Sequence, residues 1–485
     1  MKNFYITTSI AYVNAPPHIG YALEIIQADV LARYHRERGF NVFFLTGTDE
    51  HGAKIVRAAE AAGASVKKFV DENAEKFRSL KSVLNLSWDD FIRTSDQERH
   101  WPNAQKIWKV LLKKGDLYKK TYRGLYCVGH EAFVAEKDLV NGVCRDHQKT
   151  PEPIEEENWF FRLSKYTKKI ESKISPPSGD LPKGENQELR IVPESRKNEV
   201  LALLKEGLED ISFSRPRKDL FWGVPVPGDP DQTMYVWADA LTNYLSAAKY
   251  WPADIHLIGK DILRFHAAVW PAMLLAAGLK LPKAILVHGF ITVDGKKMSK
   301  SVGNVIDPAE LVKKYGSTDA VRYYLLREIP SSEDGDFSYA KFEERYNGDL
   351  ANGLGNFAAR VLKLGEDLGT IEVNVKKDIE KETTAAIARI RKLADQNIKE
   401  FKLHESLAAI WELISYGDKY INEKKPWETK DKKAIFNLVV ILDNAAALLH
   451  PFLPAAAEKI TQSISWLSKN TLRISKPSIL FPRIR

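Results

Sequence analysis

Phe4-Tyr5-Ile6-Thr7-Thr8-Ser9, then Asn14-Ala15-Pro16-Pro17, then His18-Ile19-Gly20-Tyr21 open the chain and decide how it folds. The first run is apolar and β-branched and reads as a buried strand. Pro16 and Pro17 stiffen the approach to a helix that spans about His18 to Arg38, where Gly39 stops it. Asn41 to Thr46 reads as a second strand, and Gly47 to Gly52 as a loop before another helix. Strand, loop, helix, strand, loop, helix is the order of a doubly wound parallel sheet. Such a fold hands a strand to a helix N-terminus, whose unpaired N–H groups and positive dipole end suit a phosphate. His18 can donate a hydrogen bond to a triphosphate oxygen. Gly20, without a side chain, lets an adenine ring lie against the backbone.

The alternation breaks near Lys114. Residues 118–216 carry short strand-like runs, charged loops and both cysteines, and read as an insertion. Trp222 to Pro227, with its alternating prolines, reads as the return crossing. Tyr235 to Trp237, Ile255 to Ile258 and Ile285 to His288 resume the strands. Beyond Phe342 apolar residues recur at three- and four-residue intervals over Ala385–Phe401, His404–Asn422 and Lys432–Leu449, the pattern of an antiparallel helix bundle. The expected organisation is a split Rossmann-like catalytic domain (1–116 and 220–325), an inserted domain (117–219), a linker (326–345) and a helix bundle (346–485). The fold class is α/β followed by an all-α domain.

Hydrophobic residues make up 44% of the 485 and charged residues 28%, as in ordinary globular proteins. The formal net charge of +8 permits a polyanionic partner. The N-terminus lacks the apolar run of a signal peptide. The apolar stretch 262–279 is broken by Arg264, His266 and Pro271, and 436–453 contains Asp443, Asn444, His450 and Pro451, so neither suits a membrane span. Two cysteines give no disulfide framework, and a reducing cytosol is the expected location.

A second short motif completes the first. Lys297-Met298-Ser299-Lys300-Ser301 follows the turn-like Thr292-Val293-Asp294-Gly295-Lys296, where Gly295 allows a mobile loop. Activation of a carboxylate by ATP expels pyrophosphate, and two lysines on such a loop can neutralise the charge that builds in the transition state. In this order the two motifs resemble the ATP-handling signatures of the class I aminoacyl-tRNA synthetases. The first departs at its fourth position, where Tyr21 stands in place of the usual histidine; a phenol donates a hydrogen bond but carries no positive charge.

Further blocks narrow the resemblance to the methionyl-tRNA synthetase family, nearly end to end. These are Ile10-Ala11-Tyr12, Thr46-Gly47-Thr48-Asp49-Glu50-His51-Gly52, and Tyr235-Val236-Trp237-Ala238-Asp239-Ala240-Leu241-Thr242-Asn243-Tyr244, with Gly259-Lys260-Asp261-Ile262 and His266 after it. The physical chemistry agrees. Asp49 at a strand end can pair with an amino acid's ammonium group. Tyr12, Trp237 and Tyr244, with Ile10, Ala11, Ala240, Leu241, Ile262 and His266, supply the apolar and aromatic wall that a thioether favours. The resemblance places Tyr12 and His266 near the sulfur, and Gly259 and Asp261 near the adenosine. Some family members have proline where Leu241 stands. His18, Gly20, Tyr21, Lys297, Met298, Ser299, Lys300 and Ser301 complete the ATP site, with His18, Tyr21, Lys297 and Lys300 as its catalytic groups and Mg²⁺ accompanying ATP.

Cys127 and His130 are spaced C-x2-H, and Cys144 and His147 repeat the spacing, with thirteen residues between the pairs. Two close pairs of thiolate and imidazole suit one tetrahedral Zn²⁺ with no open position, hence a structural one. The family's zinc knuckle commonly has cysteine at the position of His130. In the bundle, Asn352 to Arg360 precedes the long helices, and Asn422-Glu423-Lys424-Lys425-Pro426-Trp427 lies at a helix–loop junction. A tryptophan after proline in a charged loop can stack on an unpaired base. The resemblance makes Asn356, Arg360 and Trp427 the anticodon-reading set. The implied partners are methionine, ATP and methionine tRNA, initiator and elongator, with no membrane. A monomer is expected, because the chain ends soon after Ile479-Leu480-Phe481 without the appended domain through which family members often pair. Synthetases for branched aliphatic amino acids carry a much larger editing insertion. A non-catalytic tRNA-binding relative does not need Lys297–Ser301, Asp49 and Trp237 intact.

Overall fold

The computed structural model describes the chain except residues 1, 128–131, 135–138, 146–147, 175–187, 300–301, 373–374, 469, 476–478 and 485. Two compact units are built from it. The first comprises Met1–Pro17, Gly39–Leu80 and Trp88–Val287, and the second His18–Arg38, Lys81–Ser87 and His288–Arg485.

The first unit centres on a parallel sheet. Strand β1 (Asn3–Thr8) pairs with β3 (Asn41–Asp49) from Asn3↔Asn41 to Thr7↔Leu45 and, on its other side, with Ile255–Gly259. β2 (Ala11–Tyr12) and β4 (Asp90–Arg93) both lie parallel to β3, while Ala284–His288 and Arg190–Val192 extend the opposite edge. Parallel pairing demands crossovers, and the buried apolar run of β1 is the mark of a strand covered on both faces. Gly47 pairs with Ile92 of β4 and leaves no room for a side chain: a Cβ there would meet the Ile92 carbonyl oxygen at 2.0 Å. The insertion is an antiparallel sheet built on a long ladder between Leu117–Cys127 and Glu152–Phe161, edged by Ile211–Ser212 and Ala132–Val134. Phe161 and Phe213, stacked at 4.9 Å, and Trp108 join this insertion to the core of the first unit.

One expected strand is a helix instead. Gln232–Met234 forms the strand, antiparallel to Ser214–Pro216, and Val236–Ala240 is helical. The β propensity of a three-residue run is weak against tertiary packing. Here Val236, Ala238 and Asp239 are all drawn into the core, and a helical turn buries them together.

The second unit contains helix α1 (Ile19–Glu37), followed in the chain's later part by the helices Asn356–Leu368, Lys381–Lys399, Leu403–Lys424, Lys432–Leu449 and Pro454–Ser463. The three long helices inferred from the apolar intervals are present to within a few residues at each end. A π-helical stretch, Tyr346–Gly355, leads into the bundle, and a small sheet of Thr370–Glu372, Thr471–Ile474 and Ile464–Ser468 closes it. Gly417 is required by packing, since a Cβ there would meet the Phe357 ring at 2.2 Å.

α1 is fastened by a buried ion pair. Arg322, fully buried, donates to Asp29 at 2.8 Å and to the carbonyls of Phe452 (2.7 Å), Pro451 (3.0 Å) and Leu84 (3.2 Å). Asp29 also accepts from Arg33 at 2.8 Å and from the Ser87 N–H (2.7 Å) and hydroxyl (2.6 Å). Burial alone would raise this carboxyl, but Arg322, Arg33 and the Ser87 hydroxyl hold it below the ordinary carboxylate range. Removing one partner of such a pair strands the rest. Arg322→Met should therefore destabilise the fold by roughly 3–5 kcal/mol in urea unfolding. A loss below about 1 kcal/mol, the worth of a surface pair, would contradict this role.

Candidate active site

In the first unit the predicted pocket residues converge at the carboxyl ends of the strands, where open α/β sheets bind ligands. Tyr12 and Asp49 are register partners on β2 and β3, with Asp49 buried and its carbonyl accepting from Val13 N at 3.1 Å. Gly259 ends its strand and is buried, and Asp261 stands exposed on the turn that follows. The Tyr244 hydroxyl meets His266 Nε2 at 2.7 Å, and His266 Nδ1 lies 3.0 Å from the Ile262 carbonyl. The carbonyl can only accept, so Nδ1 carries the hydrogen and Nε2 accepts from the phenol. Trp237 lies edge-on to His266 at 6.0 Å. Leu241 and Tyr244 are buried in the same apolar cluster, against which Tyr12, Trp237 and Ile262 pack half-exposed. Ala11 and Ala240 are buried. Ile10 is not brought to this cluster; it packs on a separate one formed by Tyr5, Phe43, Leu45, Ile92 and Ala253.

Several residues of this site were not singled out from sequence. Phe265 stacks flat on Trp237, with ring centroids 4.0 Å apart and planes 5° off parallel. It starts a short π-helical turn, Phe265–Val269, a device that re-aims side chains at functional positions. Its one sequence signal is its place beside His266. Behind Asp49, Glu50 is fully buried and receives Arg93 through two bonds, 2.7 and 2.9 Å, with Thr48 at 2.6 Å and Ser95 adding hydroxyls. The next residue, His51, bonds the buried Asp239 at 2.8 Å, and His100 reaches the other oxygen of that carboxylate at 3.2 Å. Burial would raise Asp239, but interaction with His51 and hydrogen bonds from both imidazoles hold it below the usual carboxylate value.

In the second unit the two sequence motifs approach each other at Gly20 and Met298. His18 is the N-cap of α1, and its Nδ1 accepts from the Gly20 N–H at 3.0 Å. That acceptance fixes the neutral tautomer, so Nε2 is the donor nitrogen. A Cβ on Gly20 would lie 2.8 Å from the His18 ring and 3.7 Å from the Met298 methyl, so glycine lets the first motif sit against the second. Tyr21 is half-exposed in the first turn. The turn before Lys297 is a tight hairpin in which Val293 pairs with Lys296, Thr292 with Lys297, and Asp294 and Gly295 take positive φ. Asp336 accepts from Gly295 N and Thr292 Oγ1 at 2.8 and 2.6 Å, anchoring that turn. Asn304, also not singled out from sequence, accepts from Ser299 N at 2.9 Å and donates to the Lys297 carbonyl at 3.2 Å. Lys300 and Ser301 lie outside the described residues.

The bundle presents its own surface. Asn356 and Arg360, one turn apart, share a helix face. The Arg360 guanidinium bonds Asn422 at 2.8 Å and lies 5.5 Å from the centre of the Trp427 ring, which is 39% exposed on the short helix Pro426–Thr429. Asn352 and Asn356 also line a groove walled by Ile479–Arg483. In the insertion, Cys127 and Cys144 are buried and in no disulfide. His130 and His147 lie outside the described residues, and among the described residues no group of three or more His, Cys, Asp or Glu gathers for a metal. No described helix is long and apolar enough to cross a membrane.

The family model "tRNA synthetases class I (M)" matches residues 4–145 and 134–362, and "Anticodon-binding domain of tRNA ligase" matches residues 380–482. The chain is a class I tRNA synthetase. It is 42% identical to the methionine–tRNA ligase of Clostridium acetobutylicum, across 100% of this chain and 78% of that protein, and 42% identical to that of Brucella suis, across 95% and 91%. The crystallised Mycobacterium tuberculosis methionyl-tRNA synthetase in complex with methionyl-adenylate superposes with a TM-score of 0.90 at 36% identity, over 100% of both chains. This chain therefore belongs to the methionyl-tRNA synthetase family and is a methionine–tRNA ligase.

Burial pushes His266 down to about 4, and pushes His256, 6.4 Å from it, well below the ordinary imidazole value. The folded ring stays neutral, whereas the unfolded ring takes a proton near 6.5. Stability is then full above about pH 6.5 and falls as the pH drops toward 4, by roughly 3 kcal/mol for His266. Urea midpoints measured at several pH values across that window should show a shallower decline in His266→Gln than in the unaltered chain. Identical slopes would contradict the neutral, buried ring.

Proposed function

We propose that the clustered residues divide the ligase reaction as follows. Asp49 pairs with the ammonium group of methionine. Trp237, Phe265, Tyr12, Tyr244 and neutral His266, with Ala11, Ala240, Leu241 and Ile262, enclose its side chain, and Ile10 supports β1's end. A thioether is apolar and polarisable, and aromatic edges and faces suit it. Gly259 and Asp261 take the adenosine. The methionine carboxylate attacks the α-phosphorus of ATP, a carboxyl–phosphate bond forms, and the bond to the bridging oxygen breaks to release pyrophosphate. His18, through its Nε2–H, and Tyr21 donate to the triphosphate at the N-terminus of α1. Lys297 and Lys300, with Met298, Ser299 and Ser301 shaping the loop, neutralise the leaving charge, and Gly20 admits the nucleotide. Mg²⁺ accompanies ATP as part of the substrate. A ribose hydroxyl at the tRNA 3′ end then attacks the acyl carbonyl, and AMP leaves. No protein nucleophile is needed; the residues position and stabilise.

The observation that carries this reading is the joined set Trp237, Phe265, Tyr244 and His266, on whose apolar cluster Tyr12 packs, with the buried Asp49 as the register partner of Tyr12. The bundle reads the anticodon: Trp427 stacks a base, while Asn356 and Arg360 take base edges and backbone. Cys127 and Cys144, buried and free of disulfide, fit as thiolate ligands and with His130 and His147 would hold a structural Zn²⁺. Such an ion supplies cross-linking of the insertion rather than chemistry. The working unit proposed is a monomer.

Losing a base stack costs about 1–3 kcal/mol, so Trp427→Ala should lower tRNA charging roughly 5- to 150-fold at limiting tRNA. Trp237→Ala should instead raise the methionine needed for pyrophosphate exchange. Equal loss of exchange and charging in Trp427→Ala would assign that tryptophan to the fold rather than to RNA.

A further inference from the structure

Helix α4 (Trp101–Lys113), which follows two helices, α2 (Ala53–Ala61) and α3 (Val66–Val83), buries Ala104, Ile107, Trp108 and Leu111. Its opposite side is a shallow groove lined by Pro102, Gln105, Lys106, Lys109, Val110 and Lys113. No Asp or Glu occurs from Trp101 to Gly115. Lys106, Lys109 and Lys113 make no ion pair among the described residues, whereas other helices pair theirs, as in Lys67–Asp71, Lys363–Asp367 and Lys399–Asp395. Like charges three and four residues apart repel, so this face costs the helix some stability.

The position of the face indicates what it meets. His100 immediately precedes α4 and holds Asp239, which in turn holds His51 beneath the amino-acid pocket. At 1.5 Å per residue, Lys106 lies about 9 Å and Lys113 about 20 Å along the axis from His100. A stacked nucleic-acid strand sets one phosphate about every 3 Å of its axis, so a strand running along α4 would meet these lysines roughly three to seven nucleotides back from the pocket. We infer that the lysine face of α4 binds the sugar–phosphate backbone of the tRNA acceptor end. This rests on the reading that the chain charges tRNA at the pocket. The lysines act as point charges on phosphates, so the contact positions the strand and reads no sequence.

The test is the salt dependence of tRNA binding by the full chain, from 50 to 200 mM KCl, with a methionine tRNA transcript. Each released phosphate contact removes about 0.7–0.9 from the slope of log affinity against log salt. The combined variant Lys106→Ala, Lys109→Ala, Lys113→Ala should flatten the slope by about 2 to 3. Arginine at the same three positions should restore it. The unaltered chain with a transcript lacking its last six or so nucleotides should show the same flattening. An unchanged slope in the alanine variant, an arginine variant no different from it, or a truncated transcript bound with the full slope would each overturn the inference. Absence of salt-dependent tRNA binding by the unaltered chain would overturn the tRNA reading itself.

Discussion

A carboxylate sealed from water must be matched by donors, and Asp239 is the clearest case in this chain. It is fully buried, and its two oxygens are taken by His51 and His100. The three residues come from three separate stretches: the loop after β3, the residue before α4, and the helix that carries Trp237. Their bond pattern fixes how those stretches meet. The loop holds Asp49, Glu50 and His51 in succession. Glu50 is turned inward to Arg93 and His51 to Asp239, so Asp49 is held between two anchored neighbours. A rigid backing of this kind is what a site needs to present one charged group at a set place in an apolar wall.

The second unit repeats the device with different residues. Asp29, buried against Arg322, Arg33 and Ser87, fixes α1 from its middle, while His18 caps its start and Gly20 accepts the close approach of Met298. Buried ion pairs are poor sources of net stability, but they penalise any arrangement in which a partner is missing. Here they set the register of the helix that His18 caps. Asn304 does the same on a smaller scale, tying the backbone of Lys297 and Ser299 so that the loop departs from a defined base.

Much of this could be read from the sequence, and the limits have physical causes. The parallel strands, α1 and the long bundle helices follow from hydrophobic period and from glycine and proline punctuation, which are local signals. Asp49, Trp237, Tyr244 and His266 stood out because their blocks resemble a known family. The roles of Phe265, Arg93, His100 and Asp239 did not, because each acts through a partner at least 28 residues away in sequence, and Asn304 has a common loop residue type that marks no role. Tyr235–Trp237 reads as a strand, yet a helix starts at Val236 because core packing outweighs a three-residue propensity. Ile10 sits in the right block but packs on a neighbouring cluster, a distinction that only the side-chain arrangement reveals. The hairpin at Asp294–Gly295 was recognisable as a turn, while its anchor on Asp336 was not.

If Trp237, Phe265, Tyr244 and neutral His266, with Asp49, form the methionine site proposed above, the chain activates methionine in preference to the other amino acids. Amino-acid-dependent ATP–pyrophosphate exchange, run on the full chain with each of the twenty amino acids in turn, tests it most directly. Methionine should stimulate exchange strongly, with leucine, isoleucine and valine far behind. Exchange that is as fast with another amino acid, or that responds to none, would contradict this assignment of the site.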